Sequence, residues 1–151
     1  MGYIESSLLP GESVIARARL HRIIFFKAIV VALAGLAAFY VEPIAGGAIL
    51  ALAVLLAVPP LITYSSSEFG VTTKRIVIKV GVIRRRTLEL LLRQVEAISV
   101  EQSIMGRMLN YGTITLTGTG GVKEAFSNIA RPLEFRRHVH AQSIGPDEAP
   151  H

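Results

Sequence analysis

Residues 23–62 read IIFFKAIVVALAGLAAFYV-EP-IAGGAILALAVLLAVPPLI, and Lys27 and Glu42 are the only charged side chains among them. Proline does not continue a helix and biases the residue before it away from helical geometry, so Glu42-Pro43 predicts a turn. Each flanking run has about 19 residues, or about 28 Å of helix, close to the roughly 30 Å hydrocarbon core of a bilayer. The sequence therefore predicts a transmembrane helical hairpin with spans at 23–41 and 44–62.

The overall composition agrees with a membrane anchor attached to a water-soluble part. The chain of 151 residues is 51% hydrophobic, with a mean hydropathy of +0.50 and 18% charged residues, whereas soluble domains average about 25% charged. Cysteine is absent, which excludes disulfides, thiolate metal sites and cysteine nucleophiles. The net charge of +5 fits nucleic acid, anionic lipid or membrane topology, so the positions of the charges must decide.

Basic residues flank the hairpin on its two outer sides. The polar segment 1–22 carries Arg17, Arg19 and Arg22, the chain after residue 62 is also basic, and the connection between the runs carries only Glu42. By the positive-inside rule both termini are cytoplasmic, with 1–22 a cytoplasmic N-terminal segment before an uncleaved anchor. Lys27 lies near the start of its span, so we expect its stem to reach the headgroups rather than to serve transport.

The pattern changes to a period of two after a polar linker at 63–67. In RIVIKV, residues 75–80, Ile76, Ile78 and Val80 share one face, and Gly81 then predicts a turn. Pro132 begins a short amphipathic helix, and the tail 143–151 is predicted to be disordered. Further strands are predicted at 82–90 (VIRRRTLEL), 95–102, 111–118 and 122–127. Residues 63–142 are therefore predicted to be a curled antiparallel sheet or barrel with a C-terminal capping helix, which makes the chain α+β.

Four blocks of sequence resemble a known family. They are LLPGESVIARARLH (8–21), SEFGVTTKRIVIKVGVIRRRTLEL (67–90), RQVEAISVEQSIMGRMLNYGTITLTGTGG (93–121) and FSNIARPLEFRRHV (126–139). In this order they resemble the bacterial membrane-anchored pleckstrin-homology (PH) proteins of the YdbS-like type, over about residues 5–140. The resemblance implies a PH-like fold, a bent seven-stranded sheet capped by a helix, tethered to the bacterial inner membrane. It implies no catalytic site, and no binding residues are taken from it.

The densest cluster of charge is Arg84-Arg85-Arg86. One interpretation is a patch for anionic lipid headgroups or an acidic partner, where each basic group near an anionic leaflet contributes about 1 kcal/mol. The alternative is a solvated strand edge that blocks edge-to-edge pairing, with Arg84 and Arg86 on one face and Arg85 on the other. No nucleic-acid recognition motif is present, so nucleic acid is not expected as a partner. The candidate patch comprises Lys74, Arg75, Lys79, Arg84, Arg85 and Arg86.

SIMGRMLNYG, residues 103–112, is a second candidate. Its Met105, Arg107, Met108 and Leu109 form either an interaction loop or a loop whose apolar side chains pack back on the barrel. GTGG at 118–121 lacks the Lys-Ser or Lys-Thr of a phosphate-binding loop and predicts a hairpin turn.

No set of residues predicts catalysis. His138 and His140 are two apart and so point to different sides of a helix, which argues against a shared metal ion. No acid–base or nucleophile–base pair stands out, so we expect neither an enzyme nor a cofactor. The chain is interpreted as a membrane-tethered PH-like binding or scaffolding module that engages a protein partner, itself or anionic lipid. The alternative is a structural subunit of an oligomeric transport or channel assembly, which predicts polar residues along the spans.

Overall fold

The computed structural model describes residues 2–144, and the chain divides into two compact units. One is Arg22–Ser66, and the other combines the chain up to His21 with the chain from Ser67 onward. Of the tail predicted to be disordered, residues 145–151 lie outside the described residues.

The first unit is a pair of apolar helices. A 3₁₀ turn at Arg22–Phe25 leads into α2 (Phe26–Val41), and α3 (Pro43–Ser66) follows after Glu42. The windows that qualify as spans have a mean hydropathy of 2.3, and only 11% of each is buried. The core helix of a soluble protein would be mostly buried, so these helices are long, apolar and exposed enough to cross a membrane by length and composition.

Helix α3 continues beyond the predicted end of its span. It runs through Pro59 and Pro60 to Ser66, so most of the predicted linker 63–67 is its last helical turn. Each proline removes a backbone N–H and leaves a carbonyl one turn earlier without its usual partner. The Thr63 hydroxyl donates to the Pro59 carbonyl at 3.0 Å and the Ser66 hydroxyl to the Ile62 carbonyl at 2.6 Å. Both donors lie after the two prolines, in the last turns of α3, where the helix continues to Ser66.

Small residues recur every seven positions where the two helices pack. The buried ones are Ala28 and Gly35 in α2 and Gly46 and Ala53 in α3. A Cβ on Gly46 would lie 2.2 Å from the Phe39 Cα. Close backbone approach through small residues is the usual way in which helices pack inside a bilayer.

We expect Gly46→Val to destabilise the hairpin by roughly 1–3 kcal/mol, because the new side chain must push α2 away. Gly47→Val is the matched control, since a Cβ at Gly47 meets nothing within 4 Å. Thermal unfolding of the full-length chain in detergent, followed by helical circular dichroism, measures both. Equal midpoints for the two variants would contradict the close approach at Gly46.

Within residues 2–144, the second unit contains seven strands and three α-helices. Its strands form two antiparallel sheets, ordered β1-β2-β3-β4 and β5-β6-β7, which a bridge between Leu20 and Ile129 connects. This arrangement confirms the α+β, PH-like class and the seven strands that the resemblance implied. The elements are α1 (Tyr3–Ser6), β1 (Val14–Ala18), β2 (Glu68–Thr72), β3 (Arg75–Val80), β4 (Arg86–Leu91), β5 (Val95–Glu101), α4 (Ile104–Leu109), β6 (Tyr111–Gly118), β7 (Val122–Ala130) and α5 (Pro132–Ser143), with a 3₁₀ turn at Leu92–Gln94.

Strand β1 lies in the part of the chain that the sequence placed in a separate N-terminal segment. It pairs with β2 through Arg17 opposite Gly70 and Ala18 opposite Phe69. The helical hairpin is therefore an insertion in the β1–β2 connection of one sheet. VIARA has two alanines and an arginine where a half-buried strand usually has β-branched residues, so its pattern is weak.

The core lies between the two sheets and beneath α5. Ile114 and Leu116 of β6 are buried while the intervening threonines are partly exposed, as the alternation predicts. Phe69 and Phe126 meet edge to face at 5.9 Å between ring centroids. Helix α5 buries Phe135 and Val139, so the C-terminal helix is confirmed.

The outer face of the first sheet is also covered. Gly70 pairs with Val77, and the Ile4 side chain of α1 lies so close to Gly70 that a Cβ there would be 2.6 Å from the Ile4 Cδ1. Ile4 is 2% exposed and Val77 1%. The N-terminal residues are therefore part of the packed domain.

Candidate functional site

The six basic residues of the predicted patch do not lie together. Lys74 lies in the β2–β3 turn and Arg75 begins β3, whereas Arg86 pairs with Val80 at the opposite end of β3. Five steps at about 3.3 Å put roughly 17 Å between the two ends of the strand. The prediction that Lys74 and Arg75 lie beside the triple arginine is wrong, because an extended strand separates them.

Arg75 is held inside the domain rather than presented to a ligand. Its guanidinium contacts Glu12 at 3.1 Å and Glu89 at 2.6 Å and donates to the Ser7 carbonyl at 2.5 Å. The Glu12 side chain is fully buried and that of Arg75 is 12% exposed. The role of this arginine is therefore to anchor the N-terminal residues to the sheet.

The pKa of Glu12 is lowered by its hydrogen bonds despite its burial. Burial, the largest effect, raises the pKa because it penalises the charged form. The Thr72 hydroxyl donates to Glu12 at 2.5 Å, the Leu9 N–H at 2.8 Å and Arg75 at 3.1 Å. Together these donors outweigh burial and leave the pKa below its ordinary value of 4.5.

The triple arginine lies mostly in a loop, not in a strand. Residues 82–85 form the β3–β4 turn, and of the three arginines only Arg86 belongs to β4. The observed strand therefore begins four residues later than the strand predicted over 82–90. We define residues 82–86 as the basic loop. Arg84 and Arg85 are exposed, and Arg86 approaches Glu124 at 3.6 Å with 70% of its side chain exposed. The alternation of faces expected for the three arginines therefore does not apply.

The basic loop also contains two exposed apolar residues that the sequence analysis did not single out. Val82 is 53% exposed and Ile83 is 89% exposed. This apolar pair directly before three arginines is visible in the sequence. It was missed because residues 82–90 were assigned to a strand, where apolar residues are expected. Lys79 lies nearby in the ladder and has its Nζ 4.7 Å from the centroid of the Tyr3 ring.

Strand register places the basic loop at the end of the sheet where the chain leaves α3. Glu68, two residues after the last residue of α3, pairs with Lys79, and the next residue Val80 pairs with Arg86. The last residue of β1, Ala18, pairs with Phe69, so the chain also leaves β1 toward the hairpin from this end of the sheet.

The second candidate, residues 103–112, contains the short helix α4. Ser103 caps it by accepting the Gly106 N–H at 3.0 Å, and Asn110 ends it in the left-handed conformation. Gly106 is its buried residue, whereas Met105, Arg107, Met108 and Leu109 are all exposed. The alternative in which these side chains pack back on the barrel is therefore wrong.

The other motifs are structural. Residues 119–121 form the β6–β7 turn, with Gly120 and Gly121 at φ of +86° and +80°, so GTGG is the predicted hairpin turn. The His138 Nδ1 lies 2.7 Å from the Glu134 carbonyl, within its own helix. Among residues 2–144, no three His, Asp or Glu side chains are grouped so that they could hold a metal ion.

The fold defines a class: an antiparallel seven-stranded PH-like domain with a C-terminal helix and an inserted apolar hairpin. A family model described as the bacterial PH domain matches residues 26–143, which include both apolar helices and everything from β2 to α5. The chain belongs to the bacterial PH domain family. No curated protein and no solved structure matches it.

Proposed function

We propose that this protein is a non-catalytic, membrane-anchored PH-like module whose basic loop binds anionic lipid headgroups at the cytoplasmic face of a bacterial membrane. The observation that carries the proposal is an exposed loop with two apolar residues followed by three arginines, at the end of the sheet where the chain leaves α3. Family membership supports a binding role over catalysis.

Charge distribution supports the orientation. The basic residues before and after the hairpin, including Arg22 and Lys27 at its start, favour a cytoplasmic location of the β domain. In such an orientation the basic loop is at the end of the sheet that the chain enters from α3. Each arginine that reaches an anionic leaflet gains about 1 kcal/mol. Val82 and Ile83 add exposed apolar surface beside the arginines, which could enter the boundary between headgroups and acyl chains.

The alternatives lose support for specific reasons. Arg84 and Arg85 precede β4, so they do not guard its edge as a solvated strand would. A transport or channel assembly needs polar residues in its spans, and the apolar runs hold one charged residue, Lys27, in the first turn of α2. A protein partner or a second copy at the basic loop remains an outcome of the experiment below.

The chain has no cysteine, which permits site-specific labelling of a single introduced thiol. We expect an environment-sensitive fluorophore at Ile83→Cys, in the full-length chain reconstituted in nanodiscs, to shift to the blue when zwitterionic lipid is replaced by anionic lipid. High salt should reverse the shift, because screening weakens contacts between exposed charges. Arg84→Gln with Arg85→Gln should abolish it.

The matched control removes the same two charges elsewhere in the β domain. Arg136→Gln with Arg137→Gln on α5 should leave the blue shift intact. A shift lost equally in both double variants would mean that net charge, and not the basic loop, is responsible. A shift that does not depend on lipid charge but increases with protein density would mean that the basic loop contacts a second copy of the chain and not lipid.

A further inference from the structure

We infer that α4 is a second contact with the bilayer, one that inserts its apolar side chains among the lipids. This inference rests on the proposed membrane tether but concerns a different surface and a different chemistry from the basic loop. It assigns a role to Ile104, which is 81% exposed, together with Met105, Met108 and Leu109.

The exposure of α4 is built into the fold. A Cβ on Gly106 would lie 2.6 Å from the Tyr111 carbonyl oxygen, so this side of the helix is pressed against the start of β6. The Gln102 amide donates to the same carbonyl at 3.1 Å, and the Ser103 cap fixes the first turn. These contacts hold the glycine inward and leave the large apolar residues in solvent. Helix α5 has the opposite arrangement, with Phe135 and Val139 buried.

Chain connectivity indicates what covers α4. Tyr111, two residues after the end of the helix, stacks on His21 with 5.0 Å between ring centroids. His21 is joined directly to Arg22, the first residue of the helical unit. One ring contact, with a short stretch of chain on either side of it, thus joins α4 to the first residue of the helical unit.

The chemistry of α4 favours lipid over a protein partner. Its four apolar residues and Arg107 match an interfacial helix, which buries its apolar face about 5–10 Å into the boundary between headgroups and acyl chains. A six-residue helix presents far less than the roughly 800 Å² per partner of a stable protein interface. An aqueous surface would leave this apolar cluster exposed without compensation.

The inference is tested with three single-cysteine variants of the full-length chain in liposomes. Each cysteine carries a fluorophore, and the measurement is the quenching of this fluorophore by brominated lipids. Met108→Cys reports on α4, and its side chain is 77% exposed, so the substitution should not disturb folding. Ala51→Cys, on an exposed face of α3, reports on the span. Arg93→Cys lies beyond the far end of β4 and reports on the opposite end of the sheet.

We expect the fluorophore at Met108 to lose intensity most with bromines high on the acyl chain, and that at Ala51 with bromines near the chain terminus. The fluorophore at Arg93 should keep its intensity. Ile104→Asp with Met105→Asp should restore the emission at Met108 while leaving Ala51 quenched.

Quenching at Ala51 without quenching at Met108 would overturn the inference and leave the tether intact. A fluorophore at Ala51 that bromolipid does not quench would refute the tether itself and the inference with it. Emission at Met108 that depends on protein density and ignores bromine would assign α4 to contact between copies, which also overturns the inference.

Discussion

Replacing residues 22–66 by a short Gly–Ser turn should yield a water-soluble β domain that unfolds cooperatively. The hairpin is inserted between two paired strands, with Ala18 opposite Phe69, and antiparallel strands are readily joined by a connection of two to five residues. Removing the apolar helices should therefore leave every strand pair in place. Size-exclusion chromatography and thermal unfolding followed by circular dichroism measure the outcome.

The matched comparison is the fragment 63–142, which follows the boundaries expected from the sequence. It lacks β1 and the buried residues Ile4 and Leu20, whose burial contributes about 2 kcal/mol each. It also lacks Glu12, and leaving Arg75 without this buried partner costs about 3–5 kcal/mol. The total is comparable with the whole stability of a small domain, about 5–15 kcal/mol, so we expect aggregation without a cooperative transition. A fragment as stable as the hairpin-replaced domain would show that residues 2–21 are dispensable.

Glu12→Gln should lower the stability of the β domain by about 3 kcal/mol. The buried carboxylate accepts hydrogen bonds from Thr72, Leu9 and Arg75, and removing its charge leaves the Arg75 guanidinium partly uncompensated. Glu89 and the Ser7 carbonyl still contact Arg75, which places the loss at the lower end of the range for a broken buried pair. For a domain of this size the midpoint of thermal unfolding should fall by roughly 10–20 °C, measured on the full-length chain in detergent.

The same substitution should change the response to acid. The pKa of Glu12 in the folded state is below its ordinary value of 4.5, so its contribution is complete above about pH 4.5 and is lost as the pH falls through the folded value. Glu12→Gln should therefore destabilise strongly at neutral pH and flatten the acid limb of the stability profile.

Glu5→Gln is the control for this loss. The hydrogen bond from Arg17 is the main cause that lowers the pKa of Glu5, but this pair is exposed, and exposed pairs contribute little. Equal effects of the two substitutions would mean that the Glu12–Arg75 pair is not a principal anchor of the N-terminal residues.

The features that were predictable from the sequence are those that neighbouring residues decide. The apolar runs, the alternation of β6, the GTGG turn and the C-terminal helix each follow from a pattern within about 20 residues. The basic loop was only partly predicted, because Val82 to Arg85 fit a strand by composition as well as they fit a turn. In the structure these residues form a turn: Gly81 has a φ of +80°, and strand pairing resumes at Arg86.

By itself, the sequence determined that the chain has two apolar helices and a basic, strand-rich domain, since a continuous apolar run and the period of a sheet are both properties of adjacent residues. Only the tertiary structure decided that β1 completes a sheet across the inserted hairpin and that α4 points its methionines outward. It also removed Arg75 from the predicted patch by pairing it with Glu12, 63 positions earlier. Contacts between residues so far apart depend on how the whole chain packs, and no local pattern records that packing.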